Sequence, residues 1–321
     1  MANDLIASDI EALLEGHRRE LTGYCYRMLG SGFEAEDAVQ ETFIKAWKKI
    51  DSFEGRSSLR SWLYRIATNV CLDMVRGPQR RARPMEFGPS SPVETATVGP
   101  VYSEKTWVQP IPDAKVLPTD GDPAELALSR ETIRLAFIAA LQNLPARQRA
   151  VLILREVLRW QASEVAELLD TTVASVNSAL QRARETMGDV SIDTTATSVG
   201  ADQQELLARY VDAFERYDVA EIVNMLRDDV ILSMPPYALW LQGTENFAGW
   251  FLGEGIVCKG SRLIATAANG GVAFACYHSD GKGGHKPWAI QILETDGKRI
   301  TGHHNYLGPD LFEYFGLPDH L

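Results

Sequence analysis

Ala162-Ser-Glu-Val-Ala-Glu-Leu-Leu-Asp-Thr-Thr-Val-Ala-Ser-Val-Asn-Ser-Ala-Leu-Gln-Arg-Ala-Arg-Glu-Thr-Met187 predicts two helices joined by a tight turn at Asp170–Thr172. In the second helix Val173, Val176, Leu180 and Ala183 recur at three- and four-residue steps and form an inward stripe. The other face carries Ser175, Asn177, Ser178, Gln181, Arg182 and Arg184, side chains that bond base edges and phosphates. The pattern is that of a helix-turn-helix whose second helix enters a major groove. Any amphipathic helical hairpin shares the periodicity, so the rest of the chain decides.

The chain has 321 residues, 45% of them hydrophobic, enough for two or three packed domains. No run of about 18 apolar residues exists, so no membrane span is expected. The N-terminus is acidic and polar and lacks the basic and apolar regions of a signal peptide. Cys25, Cys71, Cys258 and Cys276 are scattered, which fits reduced thiols in the cytoplasm better than disulfides or a zinc site. No metal and no cofactor are expected.

Net charge is −11, an unusual balance for a DNA binder. The acid is concentrated late. Residues 191–321 hold 9 Lys and Arg against 17 Asp and Glu, while the first 190 hold 23 against 26. Bases cluster locally, as at Arg76, Arg80, Arg81 and Arg83. Affinity follows local phosphate neutralisation, so the chain alone should hold DNA weakly and need a larger partner.

Residues 8–82 are predicted helical. A helix over Phe33–Ile50 buries Val39, Phe43, Ala46, Trp47 and Ile50, and exposes Glu36, Asp37, Gln40 and Glu41. A third helix, Ser57–Arg76, buries Leu59, Trp62, Leu63, Ile66, Ala67 and Val70, and steps Arg65, Asn69, Asp73 and Arg76 along another face. Gly77–Gly121 contains eight prolines and reads as a long linker without its own core. Its Trp107-Val-Gln-Pro-Ile-Pro-Asp113 is too apolar for a pure spacer and should dock somewhere. Asp122-Pro123-Ala-Glu125 starts a helix predicted to run to about Asn143, and Pro145 opens another to about Leu158. After a Ser/Thr-rich stretch, two helices (Asp202–Tyr217 and Val219–Leu226) precede five β-like runs punctuated by Asn269-Gly270 and Asp296-Gly297. Helices followed by an antiparallel sheet argue an α+β domain.

On these pieces the first 190 residues resemble a bacterial extracytoplasmic-function sigma factor. Glu36-Asp-Ala-Val-Gln-Glu-Thr-Phe-Ile-Lys-Ala-Trp47 and Leu59-Arg-Ser-Trp-Leu-Tyr-Arg-Ile-Ala-Thr-Asn-Val-Cys-Leu-Asp73 resemble sigma domain 2. Leu144-Pro-Ala-Arg-Gln-Arg-Ala-Val-Leu-Ile-Leu-Arg155, Glu164-Val-Ala-Glu-Leu-Leu169 and Arg182-Ala-Arg184 resemble sigma domain 4. Residues 202–321 resemble a SnoaL-like domain, the cone fold shared with ketosteroid isomerases, through Tyr210-Val-Asp-Ala-Phe214, Asp228-Asp229, Met234-Pro-Pro236, Trp240 and Gly243.

The fold class expected is therefore multidomain: two all-α sigma domains, the second with a helix-turn-helix, then an α+β SnoaL-like cone. The divisions are 1–82 (domain 2), 83–121 (linker), 122–188 (domain 4), 189–201 (linker) and 202–321 (cone). The resemblance implies a chain that directs core RNA polymerase to promoters and is regulated in cis by the cone. Glu36, Asp37, Gln40 and Glu41 would dock on the polymerase β′ clamp, where charge sets orientation and on-rate. Arg60, Arg65, Asn69, Asp73 and Arg76 would hold the melted −10 strand. Ser175, Asn177, Ser178, Gln181, Arg182 and Arg184 would meet the −35 duplex, with Asn177 and Ser178 on bases and the two arginines on phosphate. The linker would thread toward the polymerase RNA exit path.

An isomerase needs a general base on the strand after Asp228-Asp229, where this chain has Ser233 and Met234; a Met cannot abstract a proton. Catalysis is not expected. Tyr210, Met234, Trp240, Tyr277 and His303 are the candidate pocket lining. The interior stands open to an apolar ligand or, more commonly, to the domain's own side chains or the proline-rich linker. A separate anti-sigma partner is also open. Two other readings compete: a one-component helix-turn-helix regulator with a ligand-sensing domain, and a bifunctional sigma factor with a catalytic cone.

Overall fold

The computed structural model describes residues 10–53, 55, 57–75, 81–188 and 201–321. The chain divides into two compact units, Met1–Arg81 with Asp113–Thr194, and Ala82–Pro112 with Thr195–Leu321. The linear order of domains is thus not the order of packing. Both sigma-like blocks form one unit, and most of the proline-rich linker belongs with the C-terminal domain.

In the helical unit, α1 (Arg18–Leu29), α2 (Gly32–Lys49) and α3 (Leu59–Met74) form the first bundle. Gly30 ends α1 in the left-handed region, φ 70°, where a side chain is strained, and its N–H closes on the Tyr26 carbonyl at 2.8 Å. Ser31 then caps α2, its Oγ accepting from Glu34 N at 3.3 Å. Leu21, Tyr24, Met28, Ala38, Val39, Leu63 and Val70 fill the bundle. Trp47, predicted inward, is 44% exposed. Ala46 takes the inward position at that turn, and its neighbour lies about 100° round the helix.

A short helix, α4 (Asp113–Val116), leads to α5 (Pro123–Glu131), α6 (Leu135–Gln142), α7 (Ala146–Leu152), α8 (Ala162–Leu168) and α9 (Val173–Met187). Asp122 caps α5 through Ala124 N at 2.8 Å. The single helix predicted over Pro123–Asn143 is two, because the chain breaks at Thr132. There the hydroxyl shares the Leu128 carbonyl with Thr132 N, at 2.9 and 3.0 Å, and the next two amides, Ile133 N and Arg134 N, turn to the nearer Arg130 and Glu131 carbonyls. Helix α7 ends in a wider turn over Ile153–Val157. Between α8 and α9, Asp170 adopts φ 51° and Thr172 caps α9 through Ser175 N at 3.1 Å. The inward stripe of α9 is Val176, Leu180, Ala183 and Met187. Val173, in its first turn, is 43% exposed.

In the second unit, α10 (Ala201–Arg216) and α11 (Val219–Asn224) precede a six-stranded sheet. Its strands are β1 (Leu226–Ser233), β2 (Trp240–Gln242), β3 (Arg262–Ala268), β4 (Gly271–Ser279), β5 (His285–Thr295) and β6 (Ile300–Leu307), in the order β2-β1-β6-β5-β4-β3. Only β1 and β6 pair in parallel within this sheet; the other neighbours are antiparallel, with the β3–β4 turn at Asn269-Gly270 and the β5–β6 turn at Asp296-Gly297. Helix α12 (Thr244–Leu252) follows β2 and α13 (Asp310–Tyr314) follows β6. One face of the curled sheet closes over Tyr210, Phe214, Phe247, Phe251 and Phe274, the SnoaL-like cone.

Residues 82–112 are a belt on this cone. Prolines remove the donors a strand would need, so the belt is held by isolated bonds. Ser91 N donates to Trp240 O at 3.0 Å, Tyr102 N to Pro236 O at 3.0 Å, and Asn269 N to Ile111 O at 3.1 Å. Asn269 Oδ1 returns the last bond by accepting from Ile111 N at 3.1 Å. Val93 lies so close to Gly249 that a Cβ there would meet its Cγ2 at 3.0 Å. Trp107, 2% exposed, donates Nε1 to Pro236 O at 3.1 Å and packs on Phe87 and Tyr102.

Candidate nucleic-acid interface

Helix α9 presents Ser175, Asn177, Ser178, Gln181, Arg182 and Arg184 on its exposed side, opposite the buried stripe. Three of the six are engaged locally: Ser175 Oγ shares a hydrogen bond with the capping Thr172 hydroxyl at 2.9 Å. Gln181 Nε2 donates to Glu185 Oε1 at 3.0 Å, and Arg184 pairs with Glu156 from the turn after α7. Arg184, expected on phosphate, therefore braces α9 against its own domain here. Arg182 keeps the exposed position one step round.

On α3, Arg65, Asn69 and Asp73 are exposed at four-residue spacing, one above the other. Arg76 lies outside the described residues. Arg60 departs from the expectation of an open strand-binding cation. Its Nε donates to Glu20 Oε2 at 2.7 Å, and its guanidinium lies 5.1 Å from the Tyr64 ring and 5.5 Å from that of Trp160. Trp160 comes from the second helical block and also packs on Tyr64, with centroids 5.1 Å apart. On α2, Asp37, Gln40 and Glu41 are exposed, whereas Glu36 is half-buried and paired with Lys115 of α4 at 2.5 Å. One residue of each first-bundle surface is thus engaged by a segment that follows the belt in sequence.

The cone residues do not converge as expected. Met234 is packed in the core. Trp240 donates Nε1 to Gly88 O of the belt at 3.0 Å. Tyr277 follows an irregularity in β4 and turns its hydroxyl to Pro318 O at 2.8 Å, its ring against Phe312. Tyr210 and His303 do meet, Oη to Nε2 at 2.7 Å. Gln291 Oε1 accepts from Tyr210 at 3.1 Å, and Asn305 Nδ2 lies 3.0 Å from His303 Nδ1. A consistent proton arrangement runs Asn305 to His303 Nδ1, His303 Nε2–H to Tyr210, and Tyr210 to Gln291. Burial, with the neighbouring His304 second, pushes the His303 pKa down to about 3, so the imidazole is neutral. His304, on the opposite face of β6, bonds Ser233 Oγ through Nδ1 at 2.8 Å. Gln291 and Asn305 carry no motif, and only their register opposite each other across β5 and β6 marks them.

Among the described residues no helix is long and apolar enough to cross a membrane, and no group of three His, Cys, Asp or Glu is placed to hold a metal.

Family models for Sigma-70 region 2 and Sigma-70 region 4 match residues 13–81 and 134–187. The ECF RNA polymerase sigma factor SigG of Mycobacterium tuberculosis (strain ATCC 25618 / H37Rv) is 42% identical over 322 residues, covering 98% of this chain and 85% of the relative. SigW of Bacillus subtilis (strain 168), another ECF RNA polymerase sigma factor, is 33% identical over 175 residues, 54% of this chain and 84% of its own. In fold, the chain resembles the crystal structure of the Mycobacterium tuberculosis extracytoplasmic function sigma factor SigJ, with a TM-score of 0.59 and 21% identity over 97% of this chain and 100% of that one. With both promoter-reading regions present in order and 42% identity along almost its full length, the chain belongs to the extracytoplasmic-function sigma factors, which direct RNA polymerase to promoters.

Proposed function

We propose that this sigma factor is regulated in cis by its cone, and that the cone acts by shortening the connector between the two promoter-reading blocks. One observation carries this. Ala82, at the start of the belt, pairs in parallel with Trp107 near its end: Ala82 N donates to Thr106 O at 2.9 Å and Val108 N to Ala82 O at 3.1 Å. The loop between them is closed on itself and seated on the cone.

Chain geometry turns this into a reach. Released, the 32 steps from Arg81 to Asp113 span up to about 110 Å. Seated, the path crosses from Ala82 to Trp107 and runs six residues on, about 30 Å in all. The −10 and −35 elements lie about 25 base pairs apart, roughly 85 Å at ~3.4 Å per pair. The seated connector covers about a third of that distance and the released one exceeds it, so seating restricts how far apart the two blocks can read.

In this reading α9 reads the −35 element, with Asn177 and Ser178 on base edges and Arg182 on phosphate. Arg65, Asn69 and Asp73 of α3 hold the −10 strand, and Asp37, Gln40 and Glu41 of α2 dock on the polymerase clamp. The cone binds rather than catalyses, since its inner polar chain of Asn305, His303, Tyr210 and Gln291 contains no carboxylate base. Run-off transcription with core polymerase tests the proposal. Trp107→Ala, which unseats the belt, should raise promoter-specific transcript from limiting protein. Unchanged or lowered output from a folded variant would sink the connector mechanism.

A further inference from the structure

Two arginines join the sigma blocks inside the helical unit. Arg27, from α1, is buried. It donates Nε to Thr132 O at 3.2 Å, Nη2 to Thr132 Oγ1 at 2.8 Å, and Nη1 to Gly23 O of its own helix at 2.9 Å. Thr132 is the break between α5 and α6. In the reverse direction Arg149, from α7, is buried and donates Nη1 to the Met28 carbonyl of α1 and to Gln142 Oε1, and Nη2 to Leu144 O at 3.1 Å. Gln142 Nε2 lies 3.5 Å from the Arg27 carbonyl. Each block sends one guanidinium into the backbone of the other. Gly30 permits the approach: a Cβ there would meet Gln142 Cδ at 3.1 Å.

Among the described residues neither guanidinium is matched by a carboxylate. Their acceptors are carbonyls, a hydroxyl and an amide, and Arg149 Nε is buried with no acceptor. Burial lowers both pKa values to about 10. Two cations dehydrated against dipoles alone are held less firmly than paired charges, and separation of the blocks returns them to water. The same closure brings Trp160 over Arg60 and keeps the −10 and −35 surfaces on one compact unit, far short of the roughly 85 Å between the elements.

We propose that Arg27 and Arg149 form a reciprocal latch that holds the two promoter-reading blocks closed, and that its opening is a step in loading onto polymerase and promoter. The latch rests on the promoter roles assigned above to α3 and α9, and works whether or not the cone clamps the connector.

The test uses the full chain with fluorophores on Lys48→Cys and Thr186→Cys, both exposed; the four native cysteines are buried. In this background Arg149→Glu places a carboxylate against carbonyls when closed and in water when open. Energy transfer should fall while helicity by circular dichroism is kept, and transcription at limiting core polymerase should rise by roughly tenfold, the change for about 1.4 kcal/mol of closed-state bias removed. Unchanged transfer with intact helicity overturns the latch. Lost transfer without increased transcription shows that closure does not inhibit, and overturns it equally. Should Arg149→Glu lose helicity, Thr132→Val decides: it removes one acceptor at constant shape and should lower transfer part of the way, and no change would refute the proposal.

Discussion

Replacing Trp107 with alanine isolates the seat of the connector. The indole is 2% exposed and its Nε1–H is bonded to Pro236 O at 3.1 Å. That carbonyl also accepts from Tyr102 N, so the substitution does not orphan it. The loss is mainly buried aromatic surface, for which Trp→Ala in a core costs 3–5 kcal/mol. A belt lying on a domain surface recovers some hydration, so about 3 kcal/mol is expected. Since 1.36 kcal/mol is a factor of ten, local opening of the belt should rise roughly a hundredfold. Native-state hydrogen exchange reads this directly. The Tyr102, Val108, Ile111 and Asn269 amides, whose acceptors join belt to cone or belt to belt, should exchange about a hundred times faster. Amides within β5 should be unaffected. If the four keep their wild-type rates, Trp107 does not hold the connector and the reach calculation loses its basis. If β5 speeds up equally, the belt is part of the global core and no separate release exists.

Four further outcomes are expected. Arg182→Ala should weaken promoter binding by the holoenzyme evenly across sequences and flatten its log–log salt dependence by about 0.9. Asn177→Ala should instead relax discrimination at one −35 base pair, by ~1–3 kcal/mol if the contact is bidentate; equal losses on all sequences would reassign it to the backbone. Tyr210→Phe removes the hydroxyl between His303 and Gln291, leaving two buried polar groups unmatched, and should destabilise the cone by about 1–3 kcal/mol in denaturant melts. Cone stability should also depend on acid through His303. Its folded pKa of about 3 lies below the ordinary 6.5, so the unfolded chain binds the extra proton. Stability is full above pH 6.5 and falls as pH drops toward 3, by about 1.4 kcal/mol per unit. His303→Gln should remove that slope, and an unchanged slope would place its origin elsewhere.

The sequence is most readable where structure is local. The strand breaks at Asn269-Gly270 and Asp296-Gly297, the caps at Ser31 and Asp122, and the α8–α9 turn all follow from short-range chemistry, and each is present in the fold. What escapes is set by partners distant in the chain. The hydrophobic rhythm of 123–143 is continuous and gives no hint that Thr132 interrupts it, because the donor that meets Thr132 O is Arg27, 105 residues away. An arginine among Leu21, Tyr24 and Met28 reads as a snorkelling cation, not as one buried across an interface. The prolines of 83–121 correctly exclude a ladder, and Trp107 marks a docking segment, but the belt's site on the cone depends on Pro236, Trp240 and Asn269, which no periodicity singles out.

The pairing of Ala82 with Trp107 separates two lengths that a simple tether would keep equal. In the seated form the distance between the blocks is measured across the base of the loop, so residues inserted near Gly88–Pro100 leave it unchanged. In the released form every inserted residue adds up to about 3.5 Å of reach, at a closure cost that grows only logarithmically with loop size. On the proposed connector mechanism, drift in this segment would tune which element spacings an active form tolerates while its resting form stays the same, making length variation there a heritable dial on promoter choice.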